Sequence, residues 1–347
     1  MIIRKRFEWR LRGRSLPLGD RTLIMGILNV TPDSFSDGGK YAEPDRAFAR
    51  AIELEEQGAD IIDIGAESTR PGSPRVNEGE ELRRLIPVLK RLKNEISVPI
   101  SVDTYKAAVA EKALEHGAAI INDPSGLTFD PALARTAARN DAGLVLNHMR
   151  GTPETWAKLP PIPDLIGTLL HDVEASVSRA RMSSVERSRI IIDPGLGFGK
   201  RKEQNAELIA GLDQFNRLGL PLLVGPSRKA FLAQQTEEET RFASAAAVTA
   251  AILNGAHVVR VHDVREMRAA AAIADMVARS IPEEPLGEVA LLNDLPPKGL
   301  RKGQVGLIVG QAGVDSFQVE FRANAGAPPL RVNLFHRQVL RLNRTAD

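Results

Sequence analysis

Apolar and polar positions along the chain alternate between two kinds of stretch. Short β-branched runs recur at Leu23–Val30, Ala59–Ala66, Pro99–Asp103, Ala119–Asp123, Gly143–Met149, Ile190–Asp193, Pro221–Gly225 and Val258–His262. Between them lie Ala-, Leu- and Glu-rich segments with helical spacing, among them Ala47–Gln57, Glu80–Asn94, Lys106–His116, Pro131–Asn140, Leu165–Ser178, Asn205–Leu218 and Ser244–Asn254. Several of these end at a glycine (Gly58, Gly117, Gly255), a common helix stop. Strands that are apolar on both faces and alternate with helices form a parallel sheet. The count of units over this length favours a (β/α)8 TIM barrel over a doubly wound open sheet.

The two ends of the chain read differently. Residues 1–20 alternate around Gly13-Arg14, which predicts an N-terminal β-hairpin. Ile281–Pro285 reads as a linker, and residues 287–344 show no helical run. Short strands are predicted there at Glu288–Leu292, Val305–Val309, Ser316–Arg322, Leu330–Leu334 and Gln338–Leu342, with turns at Pro296–Gly299, Gly310–Gly313 and Ala325–Pro329. This predicts a small C-terminal all-β domain of SH3-like type. The expected division is a barrel over 1–282, a linker over 283–286 and the β-domain over 287–347.

Composition narrows the chemistry. The 347 residues are 43% apolar and 26% charged, with a net charge of +2, which gives no global basic field for nucleic acid. There is no cysteine, so disulfides and thiolate chemistry are excluded. The basic N-terminus lacks the apolar run of a signal peptide, and no apolar run is long enough for a membrane helix; the cytoplasm is the expected compartment. From Lys298 to Asp347, eight Lys and Arg face three acids, so the tail is mildly basic.

Polar residues collect at the ends of the predicted strands. A lone Asp after a strand is most often a helix cap, and Asp103 before Lys106 fits that role. Capping, taken one residue at a time, does not explain why Asp63, Asp103 and Asp193 together sit within or directly after runs of Ile and Val. Carboxylates in such runs must be paired or hydrogen-bonded. In a barrel all these strand ends meet at one face. Asp103, Asn122, Asp193 and Lys229 offer donors and acceptors for a flat polar heterocycle. Arg70, Arg260 and His262 suit a phosphate group, and Asn29 with nearby loop aspartates suits Mg²⁺.

The stretches MGILNVTPDSFSDGG (25–39), IIDIGAESTRPGS (61–73), SVDTYK (101–106), INDPSG (121–126), HMRGTP (148–153), IIDPGLGFGK (191–200), VGPSRKAF (224–231) and VVRVHDV (258–264) closely resemble the dihydropteroate synthases. The resemblance covers about residues 20–280. It implies a TIM barrel that joins p-aminobenzoate to 6-hydroxymethyl-7,8-dihydropterin pyrophosphate, with Mg²⁺, in folate biosynthesis, and that is a homodimer and a sulfonamide target. It further implies that Asp103, Asn122, Asp193 and Lys229 hold the pterin. Asn29, Arg70, Arg260 and His262 would meet the pyrophosphate, with Asn29 at the metal. Thr69, Pro71, Phe198 and Ser227 would shape the p-aminobenzoate site. The implied catalytic set is Asp103, Asp193, Lys229, Arg260 and His262, with loops 31–39 and 68–73 closing over the substrates. Ala66 and Leu196 depart from the family's usual glycine and aromatic, and Pro226 fixes the entry to the Ser227-Arg228-Lys229 turn. The C-terminal segment lies outside this resemblance, and its runs Asn293–Gly306 and Phe317–Phe321 are similar to a small SH3-like domain found in bacteria. Two alternatives remain at this point: a pterin-binding methyltransferase, or a non-catalytic barrel with a binding β-domain.

Overall fold

The computed structural model describes residues 4–31, 43–67, 75–280, 287–313, 316–322 and 329–342. The chain forms two compact units, Met1–Ala278 and Arg279–Asp347. The predicted linker at 283–286 lies outside the described residues. No described helix is long and apolar enough to cross a membrane.

The first unit is the expected barrel. Its parallel strands are β3 (Leu23–Asn29), β4 (Ile61–Gly65), β5 (Ile100–Asp103), β6 (Ile120–Asp123), β7 (Gly143–Asn147), β8 (Ile190–Asp193), β9 (Leu223–Val224) and β10 (Val258–Val261). Each pairs with its neighbour in chain order, β10 pairs back onto β3, and a bridge between Ile192 and Leu222 joins β8 to the entry of β9. The helices are α1 (Glu43–Glu56), α2 (Glu78–Leu92), α3 (Ala107–Glu115), α4 (Ala132–Arg139), α5 (Leu165–Met182), α6 (Lys202–Ala210), α7 (Glu237–Leu253) and α8 (Val264–Arg279). The helical run expected over Asn205–Leu218 is interrupted. The α-helix stops at Ala210, Gly211 serves as its C-cap, and a 3-10 segment covers Leu212–Leu218. Asp103 is not a helix cap: Asp130 Oδ2 accepts from the first amide of α3, Ala107, at 2.8 Å.

Alternation along each strand sorts the core into two layers. Ile24, Ile62, Val102, Ile121, Leu144, Ile192 and Val259 pack outward against apolar helix residues such as Leu54, Leu85 and Leu169. The intervening positions face the barrel's interior, where Met25, Ile61, Ile120, Val145, Ile191 and Val258 form one cluster with Trp9, Leu11 and Leu18. Those three come from the predicted N-terminal hairpin, β1 (Phe7–Leu11) and β2 (Arg14–Leu18), which turns at Arg12-Gly13. The hairpin packs across the strands' N-terminal side, and Trp9 Nε1 donates to Arg189 O at 2.9 Å, just before β8. One end of the interior is thus filled with apolar side chains, and the polar inward residues lie toward the other.

The second unit is a five-stranded antiparallel sheet: β11 (Glu288–Leu291), β12 (Val305–Gly313), β13 (Ser316–Phe321), β14 (Leu330–Phe335) and β15 (Val339–Leu342), in the order β14-β13-β12-β11-β15. Four strands form a meander and the last returns beside the first, as in SH3-like folds. Phe317, Val319 and Phe321 alternate inward and fill its core with Val289, Ile308 and Leu334. The turn expected at Gly310–Gly313 is strand instead: β12 runs through Gly313, and register shifts after Ile308 and Gln311 absorb the extra residues.

Candidate active site

Two residues beyond the apolar inner layer, the inward positions turn polar. Asp63, Ser101, Asn122 and Arg260 follow Ile61, Pro99, Ile120 and Val258 at a strand's two-residue period. Asp63 is fully buried and is the hub. Its Oδ2 accepts from Arg260 Nε at 2.6 Å and from Asn122 Nδ2 at 3.1 Å. Arg260 Nη2 donates to Asp103 Oδ2 at 2.7 Å. The side chains of β4, β5, β6 and β10 therefore form one connected polar cluster at the barrel mouth. Asp63 Oδ1 has no partner among the described residues. Asn29, at the end of β3, lies beside this cluster: a Cβ built on Gly65 would stand 3.6 Å from Asp103 Cβ and 3.7 Å from Asn29 Oδ1.

Asp193 enters from β8. Its Oδ1 accepts from Gly195 N at 2.7 Å, which folds the following loop back over the strand end. Gly195 and Gly199 have φ of +74° and +72°, and the loop lies backbone against backbone on the end of β7. A Cβ on Gly195 would fall 1.9 Å from His148 O, and one on Gly199 would fall 2.4 Å from Arg150 O. Only glycine allows both the conformation and the approach. The loop presents Phe198, whose ring meets Trp156 edge-on at 5.5 Å and lies 4.1 Å from Lys229 Nζ.

Lys229 comes from the turn after β9, in which Arg228 is itself left-handed, with φ +53°. Arg228 points away, with its Nε 3.0 Å from Asp263 Oδ2. Ser227 is tied to His262: the His262 amide donates to Ser227 Oγ at 3.2 Å, and Oγ lies 3.1 Å from His262 Nδ1. With the hydroxyl donating to Nδ1, the imidazole carries its hydrogen on Nε2.

Burial dominates the titration of the cluster. It pushes Asp103 up to about 7 against the pull of Arg260, with Asp63 adding like charge. It pushes Asp193 up to about 6 against the Gly195 amide and Lys229. Lys229 is lowered to about 8 by desolvation and by Arg260, while Asp193 and Asp103 oppose this. Desolvation, Arg260 and Arg228 lower His262 to about 3, so its imidazole is neutral near pH 7.

A family model described as pterin binding enzyme matches residues 25–262. The dihydropteroate synthase of Synechocystis is 46% identical over 265 residues, covering 75% of this chain and 92% of its own. The chain belongs to the dihydropteroate synthase family. A crystal structure of dihydropteroate synthase from Clostridium difficile, in the presence of pteroic acid, superposes with a TM-score of 0.71 at 42% identity, covering 76% of this chain and 99% of its own. The Xanthomonas albilineans dihydropteroate synthase with 4-aminobenzoic acid gives 0.73 at 39%, covering 79% and 100%.

Of the residues that this dihydropteroate synthase resemblance assigned to the pterin, Asp103 and Asn122 meet within one hydrogen-bonded cluster. Asp193 and Lys229 meet at the Phe198 loop. Arg260 is engaged by two carboxylates rather than standing free at the mouth, an arrangement the sequence could not show. Thr69, Arg70 and Pro71, and most of the loop at 31–39, lie outside the described residues. Two networks carry no role in the sequence reading. Lys106 is held between Glu67 and Glu81, with Tyr105 Oη 3.1 Å from Glu67 Oε1. Lys200 is enclosed beneath the Phe198 loop, beside His148. Both lysines stood out only as polar residues at strand ends; their partners come from distant segments.

Proposed function

We propose that the chain condenses 6-hydroxymethyl-7,8-dihydropterin pyrophosphate with p-aminobenzoate, giving 7,8-dihydropteroate and pyrophosphate. The observation that carries this reading is the convergence of Asp103, Asn122, Asp193, Lys229 and Arg260 on one barrel mouth in a member of this family. Asn122 and the carboxylates of Asp103 and Asp193 match the alternating donors and acceptors of a pterin edge, and Lys229 adds a donor. The carbon–oxygen bond to pyrophosphate breaks, the aniline nitrogen bonds to the pterin methylene, and that nitrogen loses a proton. No covalent enzyme intermediate is needed. The carboxylates stabilise positive charge that develops on the methylene as pyrophosphate leaves. Arg260 and the Nε2–H of His262 offer donors to the departing anion, and a neutral imidazole suits that role.

We place Asn29 at a Mg²⁺ ion that arrives with the pyrophosphate. The donor set fits such an ion: one amide oxygen beside Asp103 at the mouth, and no group of three or more His, Asp or Glu arranged for a metal among the described residues. Magnesium is commonly held by one or two protein oxygens together with substrate phosphates and water. When bound it would supply charge stabilisation to the leaving group. We also propose a homodimer, supported by exposed Ile273, Met276 and Val277 at i, i+3 and i+4 along α8 and by exposed Phe242 on α7.

The test is an assay of pyrophosphate release from both authentic substrates with Mg²⁺. Release that needs both substrates and stops with excess chelator is expected. No release at all overturns the reaction, and release unaffected by chelator overturns the metal assignment alone.

A further inference from the structure

Lys200 is the most buried lysine among the described residues, 9% exposed, and no part of the proposed reaction uses it. Its ammonium group lies 2.6 Å from Gly195 O and 3.0 Å from His148 Nδ1, with His148 O at 3.3 Å and Phe198 O at 3.4 Å. These acceptors belong to two segments, the loop after β8 and the end of β7. An ammonium cannot accept, so His148 Nδ1 must accept, and the imidazole hydrogen then sits on Nε2, 3.2 Å from Asp172 Oδ2 on α5. A lysine with three donors thus ties Gly195 and Phe198, at the two ends of the Phe198 loop, to the neighbouring strand. A second tie, from Gly197 N to Asn205 Oδ1 at 2.6 Å, anchors the middle of the loop to α6.

We propose that Lys200 is a positioning residue for the second substrate: it holds the Gly195–Gly199 loop so that the Phe198 ring forms one wall of the p-aminobenzoate pocket. The proposal rests on the reaction proposed above and adds a residue that touches neither substrate. The ring needs such support because its loop is short and carries three left-handed glycines.

The groups facing the ammonium are Asp193 on β8, Asp172 on α5, Lys229 after β9, and His148 and Arg150 after β7. Burial, with Lys229 and Arg150, brings Lys200 down to about 7, against the pull of Asp193 and Asp172. The group is thus charged below neutral pH and loses a donor above it. One tie to the loop is then lost, while p-aminobenzoate keeps its own charge across that range.

The experiment compares Michaelis constants for the two substrates in the native enzyme and in Lys200→Met, across about pH 6 to 8. The native KM for p-aminobenzoate should rise through about pH 7 by a component that is absent in Lys200→Met. In Lys200→Met the p-aminobenzoate KM should be raised about tenfold at low pH, the scale of one lost hydrogen bond to a charged group, and should lack that component. Pterin affinity should stay within about twofold. Equal shifts in both Michaelis constants, or a native p-aminobenzoate KM that is flat with pH, overturn the proposal. If Lys200→Met does not fold, Lys200→Gln, which keeps amide donors without a titrating charge, takes its place and should likewise lose the rise with pH. A native enzyme that releases no pyrophosphate refutes the reaction instead, and is recognised before any variant is made.

Discussion

Asp63 shows how a single buried carboxylate organises the mouth of the barrel. It orients Arg260 and Asn122 from two other strands through one oxygen. In Asp63→Asn, Arg260 retains Asp103 but loses a charged partner in a buried setting, at a cost of about 2–3 kcal/mol in stability. We expect the catalytic efficiency toward the pterin substrate to fall at least about tenfold, while the p-aminobenzoate KM changes little. Unaltered pterin affinity, measured by calorimetry, would remove Asp63 from this role. The same cluster sets a pH window. Protonation of Asp103 and Asp193 as pH falls through about 7 and about 6, and deprotonation of Lys229 as it rises through about 8, each remove a charge that faces the pterin. The pH profile of kcat/KM for the pterin substrate should therefore be bell-shaped, with those two flanks belonging to the coupled cluster as a whole. A flat profile between pH 5 and 9, by initial rates, contradicts it.

At the scale of elements, the site is made by loops that cross short distances under tight steric terms. The loop after β8 is legible as a glycine-rich run, yet its reason lies in its neighbour: Gly195 must pass against His148 O. Gly195→Ala would add a methyl there and force alanine into the left-handed region. We expect a loss of at least about 2 kcal/mol, read as a drop of several degrees in Tm, together with a raised p-aminobenzoate KM. A variant with unchanged melting and kinetics would show that the loop has another arrangement open to it. The strands and most helices were legible from period alone. Gly211, which divides α6 from the 3-10 segment, and β12, which runs through an expected turn, were not. Both are settled by packing and pairing rather than by local preference.

The whole molecule contains two units with separate cores. The Synechocystis relative aligns over 92% of its length with 75% of this chain, which supports a self-sufficient barrel. A chain ending near Pro285 should fold and keep its catalytic efficiency within about threefold. An insoluble or inactive truncation would show that the β-domain completes the barrel or its assembly.

The sequence by itself determined the barrel, the hairpin, the β-domain and the strand ends where chemistry collects. Each follows from periodicity, and periodicity is local. It also identified Asp63, Asp103, Asn122, Asp193 and Arg260, because polar residues in apolar strands stand out against their neighbours, whereas Lys229, in a polar turn, was assigned to the pterin by the resemblance. Only the tertiary structure decided how they are joined. Asp63 and Arg260 are 197 positions apart, and Lys200 and His148 are 52 apart. Hydrogen bonds and ion pairs act over a few ångströms, so partners this distant in the chain are set by which strands the closed barrel makes neighbours and which way their side chains face.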